Sequence, residues 1–134
     1  MRFSIQPSAA EPIYRQIVEQ VRRHVAGGQW RAGEEMPSVR ALALEHTINP
    51  MTVSKAYSLL EAEGLLERRR GMGMVVAAVK PVTRASQRRA LLEPALRAAA
   101  QQAVQLGLNA EDALALFQRC LREQEQGRTD DETR

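Results

Sequence analysis

Between Ser38 and Gly64 the sequence SVRALALEHTINPMTVSKAYSLLEAEG holds two helix starts so close together that the chain between them has to turn at once. Ser38 is a favourable N-cap, because its hydroxyl can accept a hydrogen bond from a backbone N–H that the helix itself leaves unpaired. In the helix it opens, Val39, Leu42 and Ala43 point one way. Asn49 is the second N-cap, and Pro50 fits the first helical position because its missing N–H would have been unsatisfied there anyway. Only Thr47, Ile48 and Asn49 are left for the connection. Gly64 stops the second helix of the pair.

On that helix Val53, Ala56, Tyr57 and Leu60 share one face, whereas Met51, Lys55 and Ser58 share the opposite one, with Thr52 and Ser54 on the flanks. Tyr57, Leu60 and Leu65 read as core. Upstream, Ile13, Ile17, Val21 and Val25 recur at four-residue spacing and predict an amphipathic helix from Pro12 to Ala26, ended by Gly27-Gly28. Trp30 is expected to pack in the turn beyond it. Downstream, LLERRRGMGMVVAAV predicts two short strands joined at Gly71-Met72-Gly73. The order is helix, helix, tight turn, helix, then a hairpin with arginines near its tip.

That order predicts a mostly α chain with a small β-hairpin, a winged helix-turn-helix. A short helix that exposes small polar and basic groups on one face, and anchors the other in a three-helix core, fits the major groove of DNA. The hairpin would then lie over the backbone or an adjacent minor groove, where Arg68, Arg69 and Arg70 would meet phosphates. Charge agrees only weakly. The formal net charge is +3, and the excess lies in residues 1–80, with 11 Lys and Arg against 8 Asp and Glu; residues 81–134 hold 8 against 8.

Other chemistry is poorly supported. His24 and His46 are the only histidines, on different helices, without the Cys, Asp or Glu spacing of a metal site. Neither a metal nor a cofactor is expected. No nucleophile elbow, phosphate-binding glycine loop or paired carboxylates suggest an enzyme. Cys120 is the single cysteine, which suits a reducing interior, and is expected to be a buried or half-buried structural thiol. MRFSIQPSAAEP lacks the apolar stretch of a signal peptide and MVVAAV is too short to span a bilayer, so a cytoplasmic location is expected.

The run PIYRQIVEQVRRHVAGGQWRAGEEMPSVRALALEHTINPMTVSKAYSLLEAEGLLERRRGMGMVV resembles the DNA-binding domain of GntR-family bacterial transcription regulators almost without a gap. PSVR, the NPxTVxxAYxxLExEGLL run and the GxGxxV wing are together specific. The Asn-Pro opening and the short C-terminal part look like the YtrA subfamily, whose members bind as homodimers and often control transporter operons. Carried over residue by residue, the resemblance implies DNA contacts at Arg40, at Asn49, Pro50, Met51, Thr52 and Ser54, and at the wing glycines Gly71 and Gly73. Many relatives have arginine where Pro50 or Ser54 stands, and YtrA-like members commonly have asparagine where Met51 stands. Those departures shift direct readout toward Arg40 and Lys55, and leave Met51 to read a thymine methyl or the shape of a step.

Each of these residues has a plainer reading. Arg40 could pair with Glu35 or Glu45, Lys55 could be solvated, Met51 could be merely exposed or a dimer contact, and Arg68 to Arg70 could guard a strand edge by charge. The DNA-binding regulator therefore has two rivals: a winged-helix protein-interaction module without specific DNA binding, and a thiol-based redox sensor at Cys120.

Three regions are expected: the DNA-binding domain over residues 1–80, a C-terminal helical region over 81–126, and a flexible polar tail over 127–134. The second would begin with a basic link from Pro81 to about Arg89. Next comes a long helix, either kinked by Pro94 or starting near Glu93, and then a helix capped by Asn109 with Glu111 and Asp112 in its first turn. Leu92, Leu96, Ala99 and Leu106 on the first helix, with Leu114, Phe117 and Leu121 on the second, would form a dimer seam. Two helices of this size are not expected to enclose a ligand pocket unaided, so an effector site, if one exists, would form at the dimer interface. The whole reads as a homodimeric repressor of an inverted-repeat operator, with half-sites roughly one helical turn apart.

Overall fold

The computed structural model describes residues 1–132, in the order α1 (Ile13–Ala26), α2 (Val39–His46), α3 (Pro50–Ala62), β1 (Leu66–Arg69), β2 (Gly73–Val76), α4 (Pro81–Gln105) and α5 (Ala110–Glu132). The chain divides into two compact units, the first Met1–Leu91 and the second starting at Leu92.

In the first unit the apolar stripe of α1 closes on α3 and α2. Ile17, Val21, Val25, Val53 and Leu60 are fully buried, and Leu42, Tyr57 and Leu66 nearly so. Both expected caps form: the Ser38 Oγ accepts from the Ala41 N–H at 3.0 Å and the Asn49 Oδ1 from the Met51 N–H at 2.9 Å. The turn between them is tight enough to force Thr47 to φ 54°, the single left-handed non-glycine residue among those described. A β-branched side chain is strained there, and the turn holds because the Ile48 N–H donates to the Ala43 carbonyl at 2.9 Å.

β1 and β2 pair antiparallel, Leu66 opposite Val76 and Arg69 opposite Gly73. A third extended piece, which the sequence did not predict, lies along the other side of β2. The Gly33 and Met36 amides donate to Val76 and Met74 carbonyls at 2.8 Å each, and the Val76 amide donates to the Glu34 carbonyl at 2.9 Å. Pro37 favours this, since the residue before a proline is driven toward extended backbone.

The N-terminal arm is clipped to α1 by two glutamines one turn apart. Gln16 and Gln20 each use a side-chain amide as a short strand edge: Gln16 accepts from the Gln6 amide at 2.9 Å and donates to its carbonyl at 3.0 Å, and Gln20 does the same with Ser4 at 2.8 and 2.6 Å. Phe3 then meets Trp30 edge-on at 5.2 Å, and His24 stacks on the same indole at 4.4 Å. Trp30 thus packs where the sequence placed it.

Two expectations about the C-terminal half are corrected. The basic link over 81–89 is helical, because Pro81 occupies the first helical position and Ala, Arg, Gln and Leu sustain the turns after it. Pro94 does not begin a helix near Glu93; α4 runs through it. The proline costs one backbone hydrogen bond at a place where the freed carbonyl, four residues earlier at exposed Ala90, can turn to water. The polar end from Gly127, expected as a flexible tail, is helical as far as Glu132, and the Thr129 hydroxyl donates to the Glu125 carbonyl at 3.0 Å. Residues 133 and 134 of that expected tail lie outside the described residues.

In the second unit Asn109 caps α5, its Oδ1 accepting from the Asp112 N–H at 2.8 Å. Among the described residues no helix is long and apolar enough to cross a membrane.

Candidate nucleic-acid interface

α3 is fixed by its buried face and by three polar ties, and these decide what its other face can offer. The Tyr57 hydroxyl donates to the Pro37 carbonyl at 2.8 Å, joining α3 to the segment that pairs with β2. Burial pushes the Tyr57 phenol well above its usual range, so it stays a neutral donor. At the far end Arg22 of α1 forks onto both carboxylate oxygens of Glu63, with Glu19 at 2.7 Å as a third contact. The hydrogen bond to Glu63 holds the Arg22 guanidinium still more firmly protonated than usual. A looser pair, Arg68 to Glu61 at 3.7 Å, ties β1 of the wing to α3. A helix held this way presents its outer residues at fixed positions.

Those outer residues are the ones the sequence singled out. Met51 is 75% exposed, Asn49, Pro50, Ser54, Lys55 and Ser58 are exposed, and Thr52 is half-buried. Arg40 stands exposed on α2 and, among the described residues, forms no ion pair with Glu35, Glu45 or any other carboxylate. Lys55 is less free than expected, for its Nζ sits 4.2 Å from the centre of the Tyr14 ring on α1.

The wing arginines differ from one another. Arg69 is paired with Glu67 at 2.8 Å, Arg68 is mostly exposed and only loosely paired, and Arg70 is exposed without an ion pair among the described residues. Gly71 and Gly73 both have positive φ, 82° and 81°, which a side chain would strain, so they shape the tip whether or not they touch a ligand. Met72 stands between them, 43% exposed. Sequence reasoning also passed over Leu44, 81% exposed one turn after Arg40 on α2, and Tyr14. Leu44 was legible as the apolar residue off the stripe in ALALEH; nothing in the sequence paired Tyr14 with Lys55.

The second unit carries the other predicted surface. Leu96, Ala99, Leu106, Leu114 and Phe117 line one open apolar concavity of about 410 Å³, and Cys120 lines it too. Leu92 and Leu121 are outside the concavity but also exposed, at 49% and 46%. One expectation changes here. Cys120 is exposed, because no third layer covers α5. The helix pair leaves this concavity open and does not enclose it. Among the described residues no group of three or more His, Cys, Asp or Glu side chains could hold a metal ion.

Residues 13–76, the helix-turn-helix with its wing, match the family described as bacterial regulatory proteins, gntR family. The likeness extends beyond that stretch in the uncharacterized HTH-type transcriptional regulator YhcF of Bacillus subtilis, 31% identical over 106 residues, covering 79% of this chain and 87% of that protein. The chain belongs to the GntR family. It is 43% identical over 75 residues to the HTH-type transcriptional repressor YtrA of Bacillus subtilis, a match that covers 56% of this chain and 58% of YtrA. It therefore spans little more than half the length of that relative. Among solved structures, a GntR family transcriptional regulator from Listeria monocytogenes superposes with a TM-score of 0.68 at 26% identity, covering 84% of this chain and 97% of the other. The likeness to a GntR-family structure thus extends past residues 13–76 to most of this chain.

Proposed function

We propose that this GntR-family chain is a transcription regulator that binds a specific operator as a homodimeric repressor. The observation that carries the reading is the anchored α3, whose outward end offers Asn49, Met51, Thr52 and Ser54 beside an unpaired Arg40. Such an end fits a major groove, with Arg40 suited to a bidentate contact on guanine and Met51 to a thymine methyl. Arg70 and the loosely paired Arg68 serve the phosphates, with Gly71 and Gly73 giving the wing a slim tip. Arg69 joins them only by giving up Glu67. The similarity to a protein named as a repressor supports repression, and a YtrA-like regulator suits a transporter operon and a cytoplasmic address. No catalytic step is needed for this function.

The partner that fits the apolar faces of α4 and α5 is a second copy of this chain. Two helices alone cannot bury both apolar faces, and these faces extend beyond the concavity to Leu92 and Leu121. A matching pair from a second copy supplies the missing layer, and any effector would compete for the same space. Two recognition helices related by a two-fold axis would read half-sites about 34 Å apart.

The test is salt-titrated binding to the duplex upstream of the chain's own gene, against a scrambled duplex of equal length. Operator binding about three decades tighter than the control and falling steeply with salt is expected. Arg40→Ala should cost about 1–3 kcal/mol of operator binding and relax discrimination. Alanine at Arg70 should weaken both duplexes alike and lower the salt slope by about one. Equal weak binding to both duplexes by the wild type, or an Arg40→Ala variant with intact operator affinity, would sink the corresponding part of this reading.

A further inference from the structure

Lysine is a compact, strongly hydrated charge on a flexible stem, so an isolated lysine has to be ordered each time it meets an anion. Lys55 already has a contact within the protein. Its ammonium lies over the face of Tyr14, whose ring is half-buried and packed against the core, on the first turn of α1. The negative face of the ring takes one side of the ammonium and leaves its remaining N–H donors for another acceptor. Among the described residues no carboxylate pairs with Lys55, and the first turn of α1 carries no acidic residue, so the charge is uncompensated.

Position matters as much as charge. The groups suited to base edges, Asn49, Met51 and Thr52, belong to the very start of α3, whereas Lys55 is a turn further along and drawn toward α1. We propose that Tyr14 is a positioning residue that holds Lys55 against α1 for a DNA phosphate, so that Lys55 anchors the protein independently of sequence and does not read a base. This rests on the DNA-binding reading above and departs from the direct-readout role that the sequence alone suggested for Lys55. Ordering the lysine in advance spares part of the entropy lost on binding, and a phosphate held at the α1–α3 edge fixes how deeply α3 enters the groove.

The experiment is a double-mutant cycle with wild type, Tyr14→Leu, Lys55→Met and the double variant, plus Tyr14→Phe, each titrated with salt against the operator and scrambled duplexes. Leucine keeps an apolar body at Tyr14, and thermal unfolding of each variant checks the fold. Lys55→Met is expected to weaken both duplexes by the same factor and to lower the salt slope by about one. Tyr14→Leu should weaken both by about 2- to 5-fold, the weight of one exposed cation–ring contact. Tyr14→Phe should behave as wild type, and the double variant should be no weaker than Lys55→Met. Additive losses in the cycle, a Tyr14→Phe variant as weak as Tyr14→Leu, or a Lys55→Met variant that loses preference for the operator would each overturn the proposal while leaving operator recognition standing. A wild type that shows no preference for the operator overturns the regulator reading and this proposal with it.

Discussion

The two units of this chain solve the same problem in opposite ways. In Met1–Leu91 the apolar stripes of three helices and the inner side of a hairpin close on one another, and Ile17, Val21, Val53 and Leu60 have no exposure at all. From Leu92 to Thr129 no residue is buried, and only Ala103 and Ala113 are half-buried. Leucines there are as plentiful as in the first unit, yet Leu106 and Leu114 remain 76% and 64% exposed. The difference is one of layers: three helices and a hairpin complete a core, and two helices do not. A unit with a finished core can hold a recognition surface in place, and a unit with an unfinished one is available to be completed by another molecule.

The largest expected effect would come from breaking that completion. Phe117→Glu places a charge in the apolar concavity of each copy. Burying a phenylalanine is worth about 1.5–3 kcal/mol and a two-fold interface loses it twice, so the dimer dissociation constant should rise about 100-fold or more. Sedimentation equilibrium reads this directly. A wild type that is monomeric at high concentration, or a variant that dimerises undiminished, would remove the second copy as the missing layer.

Next in size is damage to the finished core. Leu60→Ala leaves a cavity between α1 and α3 and should cost about 2–5 kcal/mol in urea unfolding. Trp30, the single tryptophan and itself buried in the first unit, reports that transition by fluorescence. Its midpoint should not depend on protein concentration. A midpoint that climbs with concentration would mean that the first unit leans on assembly after all.

How much of this was legible depended on whether the information was local. Ser38, Asn49 and Asn109 announced three helix starts, and all three form the predicted hydrogen bond, because a cap is decided within three residues. The stripe of Ile13, Ile17, Val21 and Val25 identified both a helix and its buried side. The start of α4 was missed for the converse reason: a helix solvated on nearly all sides leaves no apolar period to read, and Pro81 at its first position was the only signal. The extended piece at 33–36 was missed because its hydrogen bonds reach across to β2, some forty residues away in sequence. The candidate site was legible as a set of residues but not as a set of pairings. Nothing in the order of residues told that Arg40 would stand unpaired, that Arg69 would be held by Glu67, or that Lys55 would lie on Tyr14.

The smallest effects, and the ones that compare the units most directly, lie at the two asparagine caps. Asn49→Ala removes the acceptor for the Met51 amide, and Asn109→Ala removes the acceptor for the Asp112 amide; a lost cap costs about 1 kcal/mol. The two should not be equal. Glu111 and Asp112 sit in the first turn of α5 and offset part of the helix dipole there, whereas the first turn of α3 has no acidic residue. Asn49→Ala should therefore lower the stability read at Trp30 by about 1 kcal/mol, and Asn109→Ala should lower helicity by circular dichroism with a smaller loss. Asn49→Ser then separates structure from recognition, since serine caps about as well as asparagine. If Asn49 only starts the helix, the serine variant binds the operator like wild type; if its amide also reads DNA, stability is kept and operator affinity falls. Serine at Asn109 should leave both unchanged, because serine restores that cap and the proposed DNA surface belongs to the first unit.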